Sequence, residues 1–97
     1  MTGRVAVVGA GISGLAAAHR LRTRLGPAAT ITVLDQRDRI GGVLHTVDLA
    51  GVPFDVGAEA FLARRPEVPA LLTELGASDR QVHPSGAAPA IRAAGRT

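Results

Sequence analysis

The feature that most constrains this chain is a glycine loop, Gly9-Ala10-Gly11-Ile12-Ser13-Gly14, set between a β-branched apolar run and a helical pattern. Residues 5–8 are continuously apolar and bounded by glycine, which reads as a buried strand of a parallel sheet. Beyond the loop, Leu15, Ala18, Leu21 and Leu25 recur at steps of three and four. That spacing predicts a helix over Ile12–Leu25 with one apolar face, ended by Gly26 and Pro27. Thr30–Leu34 is a second β-branched strand. Strand, helix and strand at this spacing make a βαβ unit with parallel strands. In such a unit each glycine has a mechanical task. Gly9 permits the tight turn, Gly11 lets a pyrophosphate approach the backbone, and Gly14 lets helix and strand pack closely. The N–H groups and dipole at the helix start favour the negative phosphates, and the Ser13 hydroxyl adds a donor.

Asp35 stands 21 residues after Gly14, at the carboxyl end of the second strand. A carboxylate there is placed to accept hydrogen bonds from an adenosine ribose and to repel a 2′-phosphate. Arg37 reads as an exposed loop arginine. Further along, residues 44–49 and Val52–Asp55 form two short strands around a turn at Ala50-Gly51. Residues 67–75 form a short helix, with Pro66 at its start, Pro69 within its first turn and Gly76 as its cap. Residues 90–93 open another strand, with Gly95 as the turn after it.

The remaining composition mostly excludes. All eleven basic residues are arginines, scattered along a chain of net charge +3 with two aromatics. No basic block or base-stacking surface results, so no nucleic-acid partner is expected. Without cysteine there is no disulfide, thiolate metal site or thiol nucleophile. His19, His45 and His83 lie at no ligand spacing, so no metal is assigned. No apolar run is long enough to span a membrane, and the chain reads as cytoplasmic. Much of the apolar content is alanine, so the core should be thin.

From Asp35 onward the sequence runs D-Q-R-D-R-I-G-G-V-L-H-T. Arg39, Gly41-Gly42 and Thr46 at these offsets from the acid resemble the second nucleotide motif of FAD-dependent amine oxidases, phytoene desaturases and protoporphyrinogen oxidases. The resemblance implies FAD, with Arg39, Gly41, Gly42 and Val43 along its diphosphate and ribityl chain. Val43 stands where the amine-oxidase branch usually has arginine, which favours the porphyrinogen-oxidase branch. The run Phe54 to Leu62 is similar to the flavin-contacting loop of bacterial protoporphyrinogen and coproporphyrinogen oxidases. Arg64-Arg65-Pro66-Glu67 and Leu71 to Gly76 continue the likeness.

The resemblance implies an α/β fold: a Rossmann-like βαβ unit of a FAD-binding domain over residues 1–83, then the start of a substrate domain at 84–97. It further implies an oxygen-dependent oxidase of haem biosynthesis that takes coproporphyrinogen III or protoporphyrinogen IX to the porphyrin. Gly57, Ala58 and Glu59 would meet the isoalloxazine, and Arg64 or Arg65 the substrate propionates. Such an enzyme is several times longer, so the chain is expected to be the N-terminal part of one. Any peripheral membrane contact would belong to a later region. A flavin amine oxidase or desaturase, and a non-catalytic nucleotide-binding module, are the alternatives.

Overall fold

The computed structural model describes residues 2–96, which fall into two compact units, one running through Ala60 and the other starting at Phe61. The first unit opens with β1 (Arg4–Val8), α1 (Ile12–Leu25) and β2 (Thr30–Leu34). β1 and β2 pair in parallel, with Arg4 opposite Thr30 and Val8 opposite Leu34. The order predicted for a βαβ unit is the order found. α1 lies on one face of this sheet, bringing Gly14 within reach of the Val7 side chain. Leu15, Ala18, Leu21 and Leu25 are all partly buried along the helix face that the periodicity marked. Gly26 closes α1 at φ 78°, a left-handed backbone that glycine adopts without strain. The Arg22 guanidinium completes that end, donating to the carbonyls of Gly26 at 2.7 Å and Ala29 at 2.8 Å. A cation is well placed at the negative end of the dipole.

One expectation needs correction. β1 is not buried on both faces. Val5 and Val7 are partly covered, whereas Ala6 is exposed and Val8 is 85% exposed. β2 alternates in the same way, and Leu34 is 50% exposed. A two-stranded sheet with one helix has cover for one face only, so a continuous apolar run still alternates in burial. Ala10 and Ala29 are the fully buried apolar residues among those described. Both are small, which is the thin core expected from an alanine-rich chain.

The first unit ends in an antiparallel hairpin, β3 (Thr46–Leu49) and β4 (Val52–Asp55), with Thr46 opposite Asp55 and Leu49 opposite Val52. β3 begins two residues later than predicted, because Leu44 is engaged in a turn and donates its N–H to the Gly41 carbonyl at 2.9 Å. The hairpin turn is Ala50-Gly51, with φ of 52° and 84°. Positive φ at both central residues is the type I′ geometry that matches the twist of the flanking strands. Asp48 supports it by accepting the Gly51 N–H at 2.8 Å.

In the second unit α2 spans Glu67–Glu74, with Pro66 as N-cap residue and Pro69 in the first turn, where no helical N–H is lost. Gly76 (φ 67°) ends it: its N–H reaches the Thr73 carbonyl and the Ala77 N–H reaches Leu72, a Schellman closure. A short 3-10 turn, Ser78–Arg80, follows. The strand predicted over residues 90–93 does not form. Ala93 instead makes a lone antiparallel bridge to Arg96 around Ala94-Gly95, again with both φ positive. With two residues paired and no further strand beside them among the described residues, the segment is a turn.

Alanine at a left-handed position carries a steric cost that asparagine or glycine avoids. Ala50→Asn should therefore raise the thermal midpoint of the chain, by about 0.5–1 kcal/mol of stability. Thermal melts followed by circular dichroism check this; an unchanged or lowered midpoint contradicts the turn assignment.

Candidate functional site

The site is built around the end of β1. The Gly9 N–H donates to the Leu34 carbonyl at 2.6 Å, carrying the ladder one residue past β1. Gly9 then turns the chain at φ 104°, a conformation closed to residues with a Cβ. Ala10 follows, 2% exposed. Its N–H donates to Asp35 Oδ2 at 2.8 Å, and its carbonyl accepts the Gly41 N–H at 2.7 Å. Gly11 caps α1 without a side-chain hydrogen bond, and the first turn carries no acid. The helix start, with Ile12 and Ser13 exposed, thus keeps its positive end open to an anion.

The second glycine pair lies directly against this loop. Gly11 and Gly41 form an isolated parallel bridge. A Cβ on Gly42 would come within 3.1 Å of the Gly11 Cα, and one on Gly41 within 2.8 Å of the Leu44 carbonyl oxygen. Both have positive φ, 107° at Gly41 and 59° at Gly42. Two motifs 30 residues apart in sequence thus become one backbone-walled surface. Glycine is required in the second motif so that it can cross the first.

The glycines differ in what demands them. A Cβ on Gly14 would overlap the Gly9 carbonyl, so that glycine serves the close approach of the first turn of α1 to the loop leaving β1. Gly57 is similar: its Cβ would overlap the Val43 carbonyl, which also accepts the Ala58 N–H at 3.1 Å. Gly11 is the exception. Its φ of −75° suits any residue, and a Cβ there would meet nothing closer than the Gly42 Cα at 4.0 Å. Nothing in the described chain requires glycine at 11. The space a Cβ would fill is the space a diphosphate needs for close approach.

Asp35 follows β2 directly. Beside accepting from Ala10, its Oδ1 accepts the Arg37 N–H at 2.8 Å. The Ala10 and Arg37 N–H groups hold its carboxyl below the ordinary aspartate value; desolvation opposes them, and the Arg37 and Arg39 charges add a still smaller downward push. Arg37 is exposed, as read, but not idle: its Nη1 donates to the Gly42 carbonyl at 3.2 Å. Arg39 Nη1 is sealed from solvent without a hydrogen-bond partner. A buried guanidinium nitrogen lacking an acceptor leaves a donor that an anionic group could satisfy. Thr46, counted in the second motif, is instead committed to the hairpin, donating its hydroxyl to Asp55. Val43, Gly57, Ala58 and Glu59 lie together where the chain before β3 meets the chain after β4, with Val43 and Glu59 exposed. Arg64 and Arg65 belong to the second unit, in the exposed turn before α2. Sequence reasoning missed the hub role of Ala10 and the Arg37–Gly42 bond. Neither leaves a residue-type signature, because each works through a main-chain group.

The architecture and glycine site define a Rossmann-like nucleotide-binding unit. Residues 7–75 match the NAD(P)-binding Rossmann-like domain family, and the chain belongs to that family. It is 60% identical over 85 residues to coproporphyrinogen III oxidase of Mycobacterium tuberculosis, covering 88% of this chain and 19% of that protein. It is 44% identical over 81 residues to protoporphyrinogen oxidase 2 of Arabidopsis thaliana, covering 84% of this chain and 15% of that one. A solved structure of a putrescine oxidase triple mutant redesigned in its cofactor binding superposes with a TM-score of 0.66 at 37% identity, over 78% of this chain and 17% of that one. The chain thus spans less than a fifth of the length of these relatives. Among the described residues no helix is long and apolar enough to cross a membrane.

Two substitutions separate the glycine roles. Gly57→Ala should destabilise the fold by about 1–3 kcal/mol, since a backbone carbonyl has to move. Gly11→Ala should leave stability within about 1 kcal/mol of the parent, while sharply weakening nucleotide binding. Denaturant titration and calorimetry read the two effects; equal loss of stability in both variants contradicts the assignment. The lowered Asp35 pKa also gives a signed pH effect. Above its ordinary value near 3.8 the ionised carboxyl stabilises the folded form. That contribution fades as pH falls through the lower folded value. Acid unfolding of Asp35→Asn should therefore lack this component, as comparison of the two acid transitions will show.

Proposed function

We propose that this chain is the FAD-binding portion of a flavoprotein oxidase that converts coproporphyrinogen III or protoporphyrinogen IX to the porphyrin, with molecular oxygen as the electron acceptor. The observation that carries the proposal is the 60% identity to a coproporphyrinogen III oxidase over 85 residues. The geometry is in keeping with it: two glycine loops in backbone contact, an open Gly11, and an unpartnered Arg39 nitrogen. When bound, FAD supplies the electron sink for the oxidation. The chain's own residues bind and orient it. In this reading the α1 start, with Gly9, Ala10, Gly11, Ile12, Ser13 and Gly14, takes the pyrophosphate. Asp35 faces the ribose; Arg39, Gly41, Gly42 and Val43 run along the diphosphate and ribityl chain. Gly57, Ala58 and Glu59 approach the isoalloxazine, and Arg64 and Arg65 serve the substrate's carboxylates. The domain boundary is proposed between residues 83 and 84.

The structural likeness to putrescine oxidase supports a second reading, a flavin amine oxidase. Substrate assays on the longer polypeptide that carries this segment decide between them. The protein should be yellow and consume oxygen with coproporphyrinogen III or protoporphyrinogen IX, and not with putrescine. A colourless preparation, or one active only with amines, overturns the proposal.

A further inference from the structure

We propose that Asp35 is a positioning residue: its carboxylate clamps the glycine loop through the Ala10 N–H and sets the loop's shape before any nucleotide arrives. This rests on the nucleotide-binding reading above but gives Asp35 a different task from ribose recognition.

The arrangement is a relay of main-chain bonds. Asp35 Oδ2 accepts the Ala10 N–H at 2.8 Å, and the Ala10 carbonyl accepts the Gly41 N–H at 2.7 Å. One carboxylate therefore ties down the first glycine loop, and through the same peptide groups the second. Its other oxygen is fixed by the Arg37 N–H at 2.8 Å, an Asx-type turn that aims the side chain back toward β1. A charged acceptor makes these bonds stronger than neutral ones. Ala10 is among the most buried residues described, so its N–H without the carboxylate would lack easy access to water. Both carboxylate oxygens are engaged by the fold itself. The lowered Asp35 pKa agrees with this, because its largest causes are the same two N–H groups; the charged groups acting on it are Arg37 and Arg39.

A substitution and a matched pair of nucleotides test the clamp. In Asp35→Ala both side-chain acceptors are removed, so neither the Ala10 N–H nor the Arg37 N–H keeps its partner. The 97-residue chain and this variant are titrated with ADP and with 2′,3′-dideoxy-ADP, which lacks the ribose hydroxyls. The clamp predicts a loss of about tenfold for the dideoxy nucleotide as well as for ADP, because the loop is affected even where no ribose hydroxyl is present. Loss with ADP and none with the dideoxy nucleotide overturns it, as does no loss with either. Amide hydrogen exchange supplies a readout that general destabilisation would not give. In the variant the Ala10 and Arg37 amides should exchange faster, while the β1–β2 ladder keeps its protection. Uniform acceleration, or an unchanged Ala10 amide, overturns the clamp. If the variant fails to fold, the unsubstituted chain still decides. Its Ala10 and Arg37 amide resonances should titrate together with the Asp35 carboxyl, and independence of the Ala10 resonance overturns the proposal. Should the parent chain bind neither nucleotide, the nucleotide-binding reading fails, while exchange and titration still judge the clamp.

Discussion

The peptide groups on either side of Ala10 hold the first unit together. The N–H is tied to the end of β2 through Asp35, and the carbonyl to the second glycine pair through Gly41. These two bonds link the loop after β1 to the segment that returns across it. This dependence falls on backbone atoms because the loop has few side chains to pack. Three of the six residues from Gly9 to Gly14 are glycine, and the residue at the centre of the relay is alanine. With so little apolar volume available, hydrogen bonding decides local shape, and the carboxylate contributes the strongest of those bonds.

Much of the fold was legible in the sequence. The strand–helix–strand order, the ends of α1, the Ala50-Gly51 turn and the Gly76 cap follow from periodicity and from residues with special backbone freedom. The errors share a cause. Residues 5–8 are apolar throughout, yet alternate in burial because one helix covers one face. Residues 90–93 have strand-like composition, but among the described residues they meet no strand to pair with. In each case the sequence records what a segment favours, whereas the structure depends on what lies beside it.

Positions in the site were easier to read than reasons. Gly57 was expected to approach a flavin, and its glycine is already required by the Val43 carbonyl within the protein. Gly41 and Gly42 likewise meet internal demands for crossing and positive φ. Gly11 alone in the glycine loop has no such internal demand. The distinction is invisible in a string of letters, since all of these positions read as G. It emerges only when the space around each Cα is known.

In the 97 residues taken alone, the face of the β1–β2 sheet away from α1 has a further consequence, of a colloidal kind. Val8 and Leu34 present branched carbon to water on the side away from α1. Such a surface attracts its own copies as concentration rises. The counterweight is the net charge of +3, a long-range repulsion that acts between whole molecules. Because arginine supplies all the positive charge, that repulsion survives at alkaline pH but is screened by salt within about 8 Å at physiological ionic strength. Handling of the 97-residue chain is therefore governed by ionic strength: dilute buffer keeps the molecules apart, and added salt brings their bare faces together.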